Sequence, residues 1–298
     1  MKMKNFILPL IALFVLVNNL AAQEDGAKLS KSAGKALTAY NIDPKGNASK
    51  LAEAREKIDK ALAMADAQGI QSAWQTKGDI YNTMYSNEMA KKAIDPKAVM
   101  TGDNDALVAF DAYKKAYELA TKKYEKSDAI KGMAEVQAGL INIGVAKYDN
   151  KEYEKAYFSF KASVESHNLL KENGQKSLLD DKKQYVDQIY FTGLIASMAN
   201  RCADAVALLE APELRDSVKA YDPLYNCKVA LGDEAGANKV LTEGRKKFPE
   251  DPALLFAEIN SYLKAGKLNE LTGRLEQAIK QEPENVSLYV TLGNVYDN

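Results

Sequence analysis

Few residues in this chain could do covalent chemistry. His167 is its single histidine, so neither a histidine-based metal site nor a Ser-His-Asp relay can be assembled in the usual way. Asp103-Asn104-Asp105 has a faint likeness to a calcium loop, but the following Gly and the distal Glu are missing. It reads better as an N-cap before a helix opening at Ala106. No glycine-rich phosphate loop occurs, and acidic pairs at helical spacing sit among lysines as solvated faces. Catalytic residues, metal ligands and cofactors are all expected to be absent. What remains is a chemistry of recognition. Asn226, Asn260 and Asn294 recur 34 residues apart, and an amide that both donates and accepts suits pairing with a peptide backbone.

That period extends beyond asparagine. With the same shift Pro249 falls on Pro283, Gly232 on Gly266, Leu241 on Leu275 and Tyr262 on Tyr296. A fixed period of this length marks a supersecondary unit that cannot bury its apolar face alone and must stack on its neighbours. Low Pro and Gly, abundant Ala, Lys and Glu, and few β-branched runs favour helix throughout.

Residues 73–81, Ala-Trp-Gln-Thr-Lys-Gly-Asp-Ile-Tyr, place Trp74, Gly78 and Tyr81 at a characteristic spacing. Ala109, Tyr113 and Ala116 supply the second helix of that unit. Leu140, Gly144, Tyr153, Ala156, Phe160 and Ser163 repeat the pattern, as do Ile189, Gly193, Ala205 and Leu209. Two further units run through Tyr221, Gly232, Ala237, Leu241 and Pro249, then Leu255, Tyr262, Gly266, Leu275, Ala278 and Pro283. A degenerate first unit holds Gly34, Ala54, Ile58 and Ala61. The pattern resembles the tetratricopeptide repeat, a helix–turn–helix unit of 34 residues. The resemblance covers about residues 30–298. It implies an all-α solenoid wound as a right-handed superhelix, with about six helix pairs and a final single helix. Small residues such as Gly78 and Ala109 let paired helices approach, and Pro249 and Pro283 end helices. Trp74 is then expected in the core. Residues 41–50 and 85–105, both carrying Ile-Asp-Pro-Lys, are expected as insertions between the helices of the first two units.

By the same resemblance, the first helix of each unit lines a concave groove that holds extended peptides. The position after the small residue faces inward there: Asp79, Val145, Leu194, Asn226, Asn260 and Asn294. One turn earlier stand Gln75, Ile141, Tyr190, Asp222 and Phe256. The candidate peptide-binding residues are Asn226, Asn260, Asn294, Asp79, Tyr190 and Phe256. The alternative is that the asparagines are tolerated polar residues on a solvated groove. Only Lys219 occupies a position where the family's carboxylate-clamping version carries lysine, so capture of a terminal carboxylate is disfavoured.

Cys202 opens the second helix of one unit, and Cys227 lies on the first helix of the next. Those helices should be neighbours, so either a disulfide or two small buried hydrophobes is consistent with the sequence.

The ends of the chain carry their own signals. Lys2 and Lys4, then an apolar run from Phe6 to Val17, then Leu20-Ala21-Ala22, read as a secretory signal peptide over residues 1–22 with cleavage after Ala22. The run falls short of the ~20 residues that would span a bilayer, which disfavours a retained anchor. No cysteine follows that would make the protein a lipoprotein. Residues 23–298 would form the solenoid, in the periplasm or associated with the cell envelope. The formal net charge of −1 becomes −3 without the two leader lysines, so there is no electrostatic footprint for nucleic acid. At the other end, Tyr289, Leu292, Gly293 and Tyr296 form a helix with an uncovered apolar face. A solenoid normally closes with a polar cap, so a fragment of a longer protein is expected, or else a terminal helix that serves as the cap.

The function expected is a non-enzymatic scaffold or assembly factor that binds a protein or peptide in its groove. The rivals are a subunit that self-associates through the C-terminal helix, and a hydrolase on a helical scaffold.

Overall fold

The computed structural model describes residues 25–98, 100–102 and 104–296. The signal-peptide reading and Asp103 lie outside the described residues. Within them there are helices and turns and no strands. The helices are α1 Gly26–Ile42, α2 Ala48–Leu62, the single turn α3 Ala65–Gln68, α4 Gln71–Ile94, α5 Asp105–Leu119, α6 Lys123–Asp149 and α7 Tyr153–Glu172. They continue as α8 Lys182–Met198, α9 Cys202–Leu209, α10 Val218–Ala230, α11 Glu234–Lys247, α12 Pro252–Ala265, α13 Leu268–Gln281 and α14 Val286–Tyr296. A 3₁₀ turn, Pro212–Leu214, links α9 to α10. No helix among the described residues is long and apolar enough to cross a membrane.

Packing follows chain order. α1 pairs with α2, α4 with α5, α6 with α7, α8 with α9, α10 with α11 and α12 with α13, and each pair leans on the next. First helices of adjacent units also touch: α4 meets α6, α8 meets α10, and α10 meets α12. The apolar interior is accordingly a relay of three clusters. α7 contributes Ala162 and Leu170 to the first and Ala156 and Tyr157 to the second. α12 contributes Leu254 to the second and Leu255 and Ile259 to the third. Neighbour-to-neighbour burial of this kind defines a tetratricopeptide-type helix–turn–helix solenoid.

The repeat residues explain how closely paired helices pack. Ala54, Ala109, Ala156, Ala205 and Ala237 are all buried. Opposite them, a large second-helix side chain enters the space left by a first-helix glycine. A Cβ on Gly78 would lie 2.4 Å from the Tyr113 ring, one on Gly144 2.8 Å from Phe160, and one on Gly193 2.8 Å from Leu209. These glycines are required by close approach, since each lies within a helix. At Gly266 the reason is backbone conformation: φ is 65° where it caps α12, a left-handed geometry that other residues adopt at a cost.

Some boundaries depart from expectation. Residues 85–105 are not a simple loop, because α4 continues to Ile94 before the turn begins. The extension packs: Tyr85 and Glu88 are buried, and Met89 and Met100 lie against the first cluster. Glu88 accepts a hydrogen bond from the Thr101 backbone N–H at 3.1 Å, tying the turn back to the helix. Similarly α1 runs to Ile42 and α2 starts at Ala48, so residues 41–50 hold only a short connection. In both places Ile-Asp-Pro-Lys ends a helix, with Asp43 and Asp95 as the caps and a proline that cannot continue the turn. Trp74 is half-buried against the first cluster, and its indole N–H donates to the Gln68 carbonyl at 2.8 Å.

Candidate functional site

α8, α10 and α12 carry four of the six candidate residues: Tyr190, Asn226, Phe256 and Asn260. A cleft of about 560 Å³ between α10 and α12 is lined by Asp222, Asn226, Phe256 and Asn260 together with Tyr225 and Lys264. The reason is local. Asp222 and Asn226, like Phe256 and Asn260, are four residues apart on one helix and share a face. Packing α10 against α12 sets the two faces side by side.

The chemistry of the cleft is mixed. Asn226 donates from Nδ2 to Asp222 Oδ1 at 3.2 Å and is exposed. Asn260 is exposed, and its side-chain amide makes no hydrogen bond within the described residues. Burial raises the Asp222 carboxyl above its ordinary range; the Asn226 hydrogen bond opposes this, and the nearby Asp251 charge adds to it. Tyr190, on α8, is half-buried beside Phe191, with ring centroids 5.6 Å apart. Its phenol is raised by burial and by the negative charge of Asp222, so α8 contributes to the same electrostatic neighbourhood. Phe256 is half-buried against the third cluster and presents part of its ring to the cleft.

Three of the six candidate residues do not line the cleft: Tyr190 on α8, Asp79 and Asn294. Asp79, on α4, is turned inward between helices: Oδ1 accepts from Tyr113 Oη at 3.0 Å and from Gln75 Nε2 at 3.1 Å. Burial raises its carboxyl despite those two bonds. Its engagement has a simple cause, since Tyr113 wedges between Gly78 and Gly132 and its hydroxyl must find a buried acceptor. Asn294, on α14, is exposed and does not line the cleft shared by Asn226 and Asn260. The series of three asparagines is therefore a pair in one cleft and a third member on the following unit. Tyr225, Val229, Leu263 and Lys264 complete the cleft and were not singled out from sequence. Their signal was present, as each lies within a few residues of an asparagine on the same helix. Lys219 is exposed near the start of α10 and does not line this cleft.

A second cleft, of about 510 Å³, lies on α4 and α6 where both helices are extended. Tyr85, Met89, Met100 and Ile143 form its apolar part, and Lys147 and Glu152 its charged rim. No group of three or more His, Cys, Asp or Glu side chains among the described residues is placed to hold a metal ion.

The fold and this site define the class: an all-helical repeat solenoid of the tetratricopeptide type, with a polar and aromatic cleft between α10 and α12. No family model matches the chain, and no curated protein does. One solved structure, from the functional characterization of Pseudomonas aeruginosa pilF, is similar over 90% of this chain and 99% of its own. The identity is 14% and the TM-score 0.38. A score that low lends no weight to a shared fold or a shared partner. Helix order and neighbour-to-neighbour packing define the class.

Proposed function

We propose that the protein is a non-enzymatic scaffold that binds an extended protein segment along the concave face of α8, α10 and α12. The observation that carries this is the placement of Asn226, Asn260 and Phe256 in one cleft with Asp222. The amides would pair with the peptide backbone, Phe256 and Tyr225 would receive an apolar side chain, and Asp222 favours a basic one nearby. Repeat solenoids bind through such extended concave surfaces. The leader-like residues 1–22 support an exported protein acting in the periplasm or at the cell envelope.

The test is a crosslinked pull-down from the native envelope fraction with wild type and with N226A/N260A side by side. Both residues are exposed, so the variant should retain its helical circular dichroism while partner recovery drops at least several-fold. Equal recovery by the two proteins would discard the cleft as the binding site.

A second reading is favoured by one observation. On α14, Val286, Tyr289, Val290 and Tyr296 are exposed, with Val286 at 71%. Such a face suits association with another copy. Sedimentation velocity across a range of concentrations tests it, and a concentration-independent monomer would count against it.

A further inference from the structure

Among the described residues, α9 is the shortest second helix of any pair. This second helix has eight residues, against fourteen in its counterparts α11 and α13 and twenty in α7. It buries only Ala205 and Leu209. Beside it, α9, the 3₁₀ turn, α10 and α11 surround a cleft of about 510 Å³ lined by Leu209, Leu214, Tyr221 and Leu224. A short helix next to an open cleft has little apolar area with which to hold its neighbours.

Both cysteines of the chain flank this segment. Cys202 is the first residue of α9, and Cys227 lies in the last turns of α10. α9 and α10 pack against each other. Cys227 is buried and Cys202 half-buried, in the same apolar cluster. Both are free thiols in the structure; burial first, and then Cys202, raises the Cys227 thiol, while the Ser197 side chain lowers it. The geometry points to a disulfide between Cys202 and Cys227 that staples α9 and the 3₁₀ turn to α10.

The chemistry assigns different roles to the two sulfurs. Burial pushes the Cys227 thiol up to about 11, which makes it a poor first nucleophile at neutral pH. Cys202 is the more accessible. With a low-molecular-weight disulfide as oxidant, the Cys202 thiolate attacks one oxidant sulfur and expels the other half as a thiolate. Cys227 then loses its proton to solvent and attacks Cys202 Sγ, expelling the second half. Two protein thiols are oxidised, and one external disulfide is reduced to two thiols. The crosslink closes a loop that contains α9, the 3₁₀ turn and most of α10, and closing a loop of this length restrains the unfolded chain substantially.

The experiment compares the purified chain after equilibration with oxidised glutathione or with dithiothreitol, both without denaturant. Under denaturing alkylation with iodoacetamide, the reduced protein should take up two carbamidomethyl groups. The oxidised one should take up none and weigh about 2 Da less as a monomer. Its melting temperature should rise by roughly 5 °C or more. In C202S and C227S both the mass change and the thermal shift should vanish. The reduced wild type controls for any folding defect of the variants. Free thiols after oxidation, glutathione adducts without ring closure, intermolecular dimers, or an unchanged melting temperature would each overturn the assignment.

Discussion

Replacing Gly78 by alanine should reveal how the helices of this solenoid are held at their spacing. An alanine in a helix interior is ordinarily better than glycine by ~1 kcal/mol. At Gly78, however, the new Cβ would lie 2.4 Å from Tyr113 Cε1 and 2.5 Å from Cδ1. The ring must retreat by about 1 Å to reach ordinary van der Waals contact. It has nowhere to go. On its other face a Cβ at Gly132 would also meet the ring at 2.4 Å, Tyr113 is 1% exposed, and its hydroxyl is bonded to Asp79 at 3.0 Å. Overpacking of this kind costs about 2–3 kcal/mol, so G78A should be destabilising by about 1–2 kcal/mol after the gain in helix propensity. Gly273 provides the control. It is exposed on α13, and nothing lies within 4 Å of the Cβ position, so G273A should stabilise by about 0.5–1 kcal/mol. Urea denaturation monitored by circular dichroism measures both. In a Tyr113→Leu background the penalty at Gly78 should shrink, because the ring that causes it has gone. If G78A were as stabilising as G273A, the wedge of Tyr113 between α4 and α6 would be refuted.

Two further outcomes follow from buried polar groups. Glu258 Oε2 accepts from Arg245 Nε at 2.9 Å and is ion-paired with Arg274 Nε at 3.0 Å, and Tyr262 Oη donates to Oε1 at 3.2 Å, joining α11, α12 and α13. E258Q should cost about 2–3 kcal/mol, because Arg245 is left buried without its counter-charge; a denaturation midpoint indistinguishable from wild type would refute this. His167 lies against Tyr185, with Nδ1 2.9 Å from Ser177 Oγ. Burial lowers its pKa; Asp180 opposes this and Lys171 adds to it. Because the folded pKa lies below the unfolded value, this contribution to stability is complete above pH ~6.5 and is lost as the pH falls from there through the lower folded pKa. Titration of the single histidine by NMR should place it below the free-imidazole value. H167Q should lose the corresponding part of the acid destabilisation.

Much of the packing could be read from residue types alone. Ala54, Ala109, Ala156, Ala205 and Ala237, together with Tyr113, Phe160 and Leu209, fall where the repeat demands, because close helix approach admits few side-chain sizes. Helix ends were harder. The extension of α4 to Ile94 depends on Tyr85, Met89 and Met100 finding partners on the first cluster, and no local propensity announces that. The placement of Asn226, Asn260 and Phe256 in one cleft agrees with their period. Tyr225, Val229 and Leu263 have the types of ordinary apolar helix residues, and only their nearness to the asparagines marks them for the cleft.

The sequence by itself determined that helices would form in pairs and lean on their successors, since a repeated apolar pattern leaves each unit with a face only its neighbour can cover. Tertiary structure decided which repeated polar groups are available to a ligand. Asp79 occupies the same repeat position as Asn226 and Asn260, yet it is committed to Tyr113 because a buried hydroxyl beside it requires an acceptor. The two asparagines face open space in the cleft between α10 and α12. Period fixes position along a helix, whereas accessibility depends on what the neighbouring helices bring to that position.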